Sequence, residues 1–443
     1  MVILGLGSNV GDRLFFLRSA LTQLKGIPGL QITAVSPVYI SDALMTDDAP
    51  PEWNHPYLNL ALRCETTLTP YELLDATKAC EKAIGRLPAK HWAPRPIDID
   101  ILAWDDLVQY DEKLHIPHEH LHTRPFALWP LSDVAPRWIY PIKNENHGKT
   151  AIEMANIWGS RFSGEAPLHT RQIAQRIDTP QLMGVLNITP DSFSDGGYYT
   201  DVNCVIEHAH QLVAAGAEIL DFGAEATNPN AQPVTATVEW RRLEEILIAV
   251  RAATKNMIIP PKISVDTRHP STASNALTAG ADWINDVGGL TDPYMQEIIA
   301  ASHCDVVMMH QLGIPADLGR VLPLSDDPVM IIYQWAQLQF AELEKLGINK
   351  NRVIFDVGIG FGKTAQQSLE ILQRFIEFKT LGVRLLVGHS RKSFQTIFTD
   401  KPAAKRDVET LPISLYLADL QTDYLRVHNV EDNARALKVA KAL

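Results

Sequence analysis

From residue 179 to residue 443 one pattern repeats: a short run rich in Val, Ile, Leu and Met, then a longer stretch with helical spacing. The runs fall at 183–188, 217–222, 262–266, 282–287, 305–309, 352–357, 384–388 and 424–428. Strands that read as unbroken apolar runs are buried on both faces, as parallel strands covered by helices are. Eight of them in a stretch of this length predict an α/β TIM (β/α)8 barrel; a doubly wound sheet, with six or seven runs, is the alternative. Nearly every run ends in a polar residue: Asn187, Glu225 with Thr227, Asp266, Asn285, His310, Asp356, Lys392, and Arg426 with His428. In a barrel the C-terminal strand ends meet at one mouth, where such folds do chemistry. Helix capping explains any one of these, but capping selects Ser, Thr, Asp or Asn and would not select Lys392, Arg426 or His428.

The first 158 residues are organised differently. An apolar run at 2–6 ends in Gly7-Ser8-Asn9, and a helical stripe of Leu14, Leu17, Leu21 and Leu24 is closed by Gly26 and Pro28. A second helix has Thr69 as cap, Pro70 in the first turn and Glu72 completing a capping box, with Leu73, Ala76, Cys80, Ala83 and Ile84 as its stripe and Gly85 at its end. Strands are expected near 31–40, 57–64 and 97–103. That order predicts an α+β sheet with helices on one face. Residues 42–56, rich in Asp, Pro and Asn, read as a loop, a candidate lid. Periodicity is lost at Gly159, Ser163, Gly164 and Pro167, so the expected division is a domain over 1–158, a linker over 159–178 and a domain over 179–443.

Charge narrows the function. The formal net charge is −12, shared by both halves, with no basic face and no apolar run of the roughly 18 residues a membrane helix needs. Nucleic-acid and membrane partners are therefore not expected, and any anion site must gather its cations locally. Four widely spaced cysteines (Cys64, Cys80, Cys204, Cys304) fit neither a disulfide framework nor a cysteine zinc site. With no secretory signature at the N-terminus, they suit a reducing cytoplasm.

The strongest local feature is Trp92-Ala93-Pro94-Arg95-Pro96-Ile97-Asp98-Ile99-Asp100-Ile101. On a strand Asp98 and Asp100 share a face about 7 Å apart. Two carboxylates there repel unless a cation joins them, and a hard ion such as Mg²⁺ carrying a phosphate answers that repulsion. The plain alternative is a solvent-exposed alternating strand; Trp92, Arg95, His118 and Arg124 favour the metal–phosphate site. Two other patterns mislead. His118-Glu119-His120-Leu121-His122 matches H-E-x-x-H, but Pro117 and Arg124-Pro125 deny it the helix that a zinc protease requires. Gly358-Ile359-Gly360-Phe361-Gly362-Lys363-Thr364 misses a P-loop by one residue, because Val357 stands where glycine is needed, and reads as a glycine-rich turn at a strand end.

Gly5-Leu6-Gly7-Ser8-Asn9, Tyr57-Leu58-Asn59, Glu81, Arg86, the Trp92–Asp100 segment, Pro117-His118 and Arg124-Pro125-Phe126 resemble 6-hydroxymethyl-7,8-dihydropterin pyrophosphokinase. The resemblance implies a ferredoxin-like fold, with Asp98 and Asp100 holding two Mg²⁺ on ATP. It implies pterin contacts from Leu44, Tyr57, Asn59 and Phe126, and ATP contacts from Glu81, Arg86, Trp92, Arg95, His115, His118 and Arg124, with Arg86 and Arg95 catalytic. Lys113 and Glu119 stand where that family often has Arg and Tyr.

Met183 to Gly197 (Met-Gly-Val-Leu-Asn-Ile-Thr-Pro-Asp-Ser-Phe-Ser-Asp-Gly-Gly) resembles dihydropteroate synthase, and Ser264-Val265-Asp266-Thr267, Ile284-Asn285-Asp286, Gly360–Lys363, Ser390-Arg391-Lys392-Ser393 and Arg426-Val427-His428 continue the resemblance. It implies a pterin pocket of Asp266, Asn285, Asp356 and Lys392, with Thr227 and Met309 also touching substrate. Asn187 would hold Mg²⁺, Arg426 and His428 the diphosphate, and Phe361 and Ser393 p-aminobenzoate; loops 188–197 and 226–233 would close over the site. Asp266, Asp356 and Lys392 are the implied catalytic residues, and a homodimer through the barrel is the implied assembly. Asn228, Val357, Ile359 and Asn429 depart from the family's usual Arg, Pro, Phe and Asp. The expected function is a two-step folate-synthesis enzyme whose first product is the second domain's substrate; the alternative is an active kinase whose barrel has decayed into a structural partner.

Overall fold

In the computed structural model, which describes residues 1–45, 49–87, 93–173, 175–188, 201–225, 232–317 and 319–442, the chain divides into Met1–Asp178 and Thr179–Leu443. The first unit carries β1 (Val2–Ser8), α1 (Arg13–Lys25), β2 (Leu30–Val35), β3 (Tyr39–Ser41), β4 (Tyr57–Thr66), α2 (Pro70–Ile84), β5 (Asp98–Trp104), β6 (Gln109–Tyr110), β7 (His115–Ile116), α3 (Pro125–Val134), α4 (Ala151–Asn156) and β8 (Arg171–Gln172). β1 lies antiparallel between β4 and β5, while β2 and β3 pair with successive stretches of β4. This is the ferredoxin-like α+β arrangement. The strand expected over 31–40 is broken in two around Pro37, which has no N–H to give to a ladder.

Local signals act as read. The Thr69 side chain accepts from the Glu72 N–H and Glu72 returns the bond, while Gly85 ends α2 at φ 106°, in the left-handed region. The helices, however, do not keep to one face. Ile3, Tyr39, Ala61 and Ala103 pack with Leu128, Trp129 and Leu131 of α3 and Met154 of α4. Periodicity missed α3 because it is buried nearly all round and shows no polar stripe. Residues 159–178, expected as a linker, carry β8, which extends the sheet beyond β3, and Arg161, which pairs with Asp133 of α3. Lost periodicity there marks an irregular path over the sheet edge.

The second unit alternates β9 (Gln181–Asn187), α5 (Val202–Ala215), β10 (Ala217–Gly223), α6 (Ala236–Thr254), β11 (Lys262–Asp266), α7 (Pro270–Thr278), β12 (Trp283–Asp286), α8 (Pro293–Ala301), β13 (Asp305–Met309), α9 (Pro328–Lys345), β14 (Val353–Asp356), α10 (Ala365–Gln373), β15 (Arg384–Val387), α11 (Asp407–Asp419), β16 (Tyr424–Val427) and α12 (Val430–Ala440). Each apolar run is one of the eight strands. Neighbours pair in parallel and β16 closes onto β9, so the sheet is a barrel and the doubly wound alternative falls. Met183, Ile219, Trp283, Val307, Ile354, Leu386 and Tyr424 fill the barrel interior below the mouth. No helix among the described residues is long and apolar enough to cross a membrane.

Trp283, packed edge-on against Tyr424 at 5.0 Å, is the largest member of that layer. Trp283→Ala is expected to lower the barrel's unfolding free energy by about 3–5 kcal/mol. Urea unfolding of the second unit checks this, and a loss below 1 kcal/mol would mean the layer repacks.

Candidate active sites

Directly paired residues on neighbouring strands share a face of the sheet. Gly7 pairs with Asn59 on one side and Asp98 on the other, and Gly5 with Ala61 and Asp100. Tyr57, Asn59, Asp98 and Asp100 therefore line one face of the first unit. Glycine at position 7 keeps that face open, since a Cβ would stand 3.2 Å from Asn59 Oδ1 and 3.5 Å from the Tyr57 ring. Asn59 Nδ2 donates to Ser41 Oγ at 3.1 Å, which orients its amide.

The two carboxylates differ in environment. Arg86 and Arg95 both pair with Asp98, Arg95 Nη1 at 3.0 Å. Against a desolvation that would raise it, Arg95, Arg86 and Lys78 hold the Asp98 carboxyl below its ordinary value. The Asp100 carboxyl has no side-chain hydrogen bond or ion pair among the described residues, and desolvation followed by the charge of Asp98 pushes it up to about 7. A recessed pair of oxygen donors, one of them uncompensated, fits a hard divalent cation. Glu81 is buried and Oε1 is committed to the protein: it accepts from Lys78 Nζ at 2.8 Å, Arg86 Nη1 at 2.7 Å and the Ile99 N–H at 2.8 Å. It thus anchors Arg86 and leaves little of itself for a nucleotide. Asn9 was quoted only as part of a motif, yet its Oδ1 accepts the Arg95 N–H at 2.8 Å and pins the turn before β5.

His118 donates its N–H to the Leu102 carbonyl at 2.9 Å, running beside β5. Burial and Arg124 push its ring down to about 4, so it enters the site as a neutral hydrogen-bonding group, not as the cation the sequence suggested. Arg124 lies 5.9 Å from the Phe126 ring centre. His115 stacks on Tyr110 at 4.4 Å, and Leu44 is exposed beyond β3. Residues 118–122 form a turn with a 3-10 segment at Leu121–Thr123, so the H-E-x-x-H histidines do not share a helix face. Trp92, part of the 42–56 loop (46–48), residues 189–197 of the long motif, Thr227 and Asn228 lie outside the described residues.

In the second unit the polar strand ends converge on the barrel mouth. Arg426 spans the interior, with Nε 2.6 Å from Asp221 Oδ2 and Nη2 2.9 Å from Asp266 Oδ2. Asp221 also accepts from Ser264 Oγ at 2.5 Å and from Asn285 Nδ2 at 3.1 Å. Sequence reading passed over Asp221, although a carboxylate inside an otherwise apolar run is itself a signal that the strand faces a polar interior. Desolvation, with Asp221 and Glu239 adding to it and Arg426 opposing, pushes Asp266 up to about 7. Burial also raises Asp356, whose Oδ1 accepts the Gly358 N–H at 2.8 Å. Lys392 Nζ sits 4.3 Å above the Phe361 ring; desolvation, then Arg426, lowers it to about 8, with Asp356 and Asp266 opposing. Met309 and Phe361 pack in one cluster with Val287 and Ala316. Ser393 is exposed at the start of a 3-10 turn (Ser393–Ile397).

The His428 N–H donates to Ser390 Oγ at 3.3 Å, and its Nδ1 lies 3.1 Å from the same oxygen. Burial and Arg426 push its ring down to about 3, so it too is neutral. Asn187 ends β9 exposed, and a Cβ at Gly223 would stand 3.9 Å from its Oδ1 and 3.8 Å from Asp266 Oδ2. A single amide oxygen at a wet mouth suits a magnesium ion that keeps most of its water and phosphate ligands.

The departures have local reasons. Val357 and Ile359 are buried in the main barrel–helix core. Asn429 caps α12 and donates from Nδ2 to Asp432 at 2.8 Å; an aspartate there would face Asp432 and Asp407, which already holds Arg391. Glu225, Glu239 and His269 bring ligand-type atoms within 4.8 Å of one another. Glu225 is spent on Arg268 and the Val234 N–H, Glu239 accepts from Thr267 Oγ1 at 2.6 Å, and His269 Nε2 lies 3.0 Å from the Val234 carbonyl, so the cluster reads as a structural bracket.

Two family profiles match successive parts of the chain: 7,8-dihydro-6-hydroxymethylpterin-pyrophosphokinase over residues 3–136 and pterin binding enzyme over residues 183–428. A folate synthesis bifunctional protein of Chlamydia caviae is 35% identical over 444 residues, covering 99% of this chain and 97% of its own. The chain belongs to the folate synthesis bifunctional protein family. Among solved structures, dihydropteroate synthase of Anaplasma phagocytophilum with bound 6-hydroxymethylpterin-monophosphate is 36% identical at a TM-score of 0.54, covering 59% of this chain and 98% of that one. The Xanthomonas albilineans dihydropteroate synthase with 4-aminobenzoic acid is 33% identical at 0.55, covering 60% and 93%. Both likenesses have the extent of a single barrel domain.

One buried histidine makes the barrel acid-sensitive. His389 is fully buried with Nε2 2.8 Å from Ser414 Oγ, and desolvation pushes it down from 6.5 to about 4. The unfolded imidazole takes a proton that the folded one refuses, so this contribution to stability is lost as pH falls from about 6.5 to 4. His389→Gln lacks that proton, so its stability deficit relative to the parent should shrink by about 2 kcal/mol between pH 7 and pH 5. Urea unfolding at the two pH values measures it; a constant deficit contradicts the assignment.

Proposed function

We propose that the chain catalyses two consecutive transfers: the diphosphate of ATP to 6-hydroxymethyl-7,8-dihydropterin, then condensation of that product with p-aminobenzoate to give 7,8-dihydropteroate. The observation that carries this is the presence, in one chain aligned end to end with bifunctional relatives, of both polar constellations: the Asp98–Asp100 face with its arginines and the Asp221–Asp266–Arg426 mouth.

In the first step the pterin hydroxymethyl oxygen attacks the β-phosphorus of ATP and AMP departs. Asn59 orients the pterin edge, with Tyr57 and Phe126 against the ring. Arg86 and Arg95, held by Glu81 and Asn9, stand beside the reacting phosphates, and Arg124 with neutral His118 completes the anion cradle. Such transfers depend on position and charge neutralisation more than on covalent help. Magnesium, held by Asp98 and Asp100 in this site and by Asn187 in the barrel, would supply neutralisation of phosphate charge.

In the second step the bond between the pterin methylene carbon and the diphosphate oxygen breaks, the electron pair leaving with the diphosphate toward Arg426 and His428. The methylene cation is delocalised into the ring and stabilised by Asp266 and Asp356. The arylamine nitrogen, its ring seated at Phe361 near Ser393, then attacks and loses a proton. Asn285, Lys392 and Met309 complete the pterin pocket, and Thr227 also contacts substrate. The same reading has the enzyme in the cytoplasm as a homodimer through the barrel, which sedimentation of the purified chain tests.

Purified protein given ATP, Mg²⁺, hydroxymethyl-dihydropterin and p-aminobenzoate is expected to yield AMP and dihydropteroate; AMP with accumulating pterin diphosphate would mean a decayed barrel. Asp98→Asn and Asp100→Asn should each slow AMP formation about 100-fold or more, since each weakens metal capture. Asp356→Asn should suppress dihydropteroate formation by about 100-fold while AMP release stays at the parent rate, and intact synthase turnover would remove that carboxylate from the mechanism.

A further inference from the structure

The glycine-rich segment that imitates a P-loop contains Lys363, a residue with no part in the reactions above. Its ammonium group is buried and points into the protein: Nζ lies 2.9 Å from His310 Nδ1, 3.2 Å from the His310 carbonyl and 2.9 Å from the Phe361 carbonyl. An ammonium has three N–H donors, and here each has an acceptor. The neighbouring lysine, Lys392, instead faces the mouth over the Phe361 ring.

The geometry points to Lys363 as a positioning residue that sets the arylamine seat by fastening the Phe361 turn to the end of β13. The inference rests on the synthase reading above and adds a residue that touches no substrate. The turn is tied at both ends, and between them the Gly362 carbonyl accepts the Leu322 N–H at 3.0 Å. At its start the Gly358 N–H donates to Asp356 Oδ1 at 2.8 Å, and the Phe361 N–H donates to the Gly358 carbonyl at 3.1 Å. At its end Lys363 ties the Phe361 carbonyl to His310. The fit between them is tight: a Cβ on Gly358, at φ 67°, would stand 1.9 Å from the His310 oxygen. His310 is held in turn by Trp335, whose ring meets it edge-on at 5.0 Å. While the amine is protonated it only donates, so His310 Nδ1 is then the acceptor and Nε2 carries the proton. Loss of Lys363 unties the Phe361 carbonyl from His310 and leaves that end to the Gly362–Leu322 bond alone, while the Asp356 end, on the pterin side, keeps its own tie.

The test uses the full chain with chemically prepared pterin diphosphate and p-aminobenzoate, and AMP release by the first unit as a control for intact protein. Lys363→Met should raise KM for p-aminobenzoate about tenfold or more, with KM for pterin diphosphate within about threefold of the parent. A second pair keeps the inference testable if that variant's barrel does not fold. His310→Asn retains an acceptor near the Nδ1 position and should hold the parent KM for p-aminobenzoate, whereas His310→Phe removes it and should raise that KM alone. A merely structural role predicts the reverse, since phenylalanine packs better than asparagine against Trp335. Equal rises in both KM values, no change in Lys363→Met, or better performance by His310→Phe each overturn the inference. A parent chain that makes no dihydropteroate overturns the synthase reading itself, and this inference with it.

Discussion

Eight parallel strands closed into a ring must present all their C-terminal ends at one mouth, and that constraint arranges the chemistry of the second unit. Residues as far apart in the chain as Asp221 and Arg426 become a 2.6 Å ion pair because their strands end in the same layer. The interior divides along its axis: an apolar layer from Met183 to Tyr424 supplies packing, and the next turn outward carries Asp221, Ser264, Asn285, Asp356 and Arg426. Polar groups so deep persist because they satisfy one another; a lone carboxylate at that depth would be strongly penalised.

The first unit meets a comparable problem on an open sheet. Two carboxylates two residues apart on β5 face the same way, and among the described residues Asp98 is the one that is ion-paired, with Arg86 and Arg95. Asp100 is left with a proton affinity raised to about 7 by desolvation and by the charge of Asp98. Both units also hold histidines neutral beside arginines, His118 next to Arg124 and His428 next to Arg426. The cations beside these two neutral rings are arginines, whose planar forks suit phosphate oxygens.

Much was legible in the chain. Short, mostly apolar runs marked all eight barrel strands, because strands buried on both faces admit few polar residues. The capping box at Thr69 and Glu72 and the paired aspartates of β5 were also plain, since each depends on neighbours within four positions. Helix α3 was missed because a segment buried all round shows no period, and β8 because two residues are too few to make one. Asp221 was passed over because the reading looked only at strand ends. The environments of Glu81 and Lys363 were hidden for another reason: both spend their charge on acceptors or donors from other parts of the chain.

The sequence by itself determined the alternation of strand and helix, the two-part organisation and the residue types from which each site is built, because periodicity and short-range spacing are properties of neighbours. Only the tertiary structure decided which carboxylate is compensated, which histidines stay neutral and which lysine faces the mouth. Those outcomes follow from burial and from charges brought close across strands, and neither distance nor desolvation can be read along a line of residues.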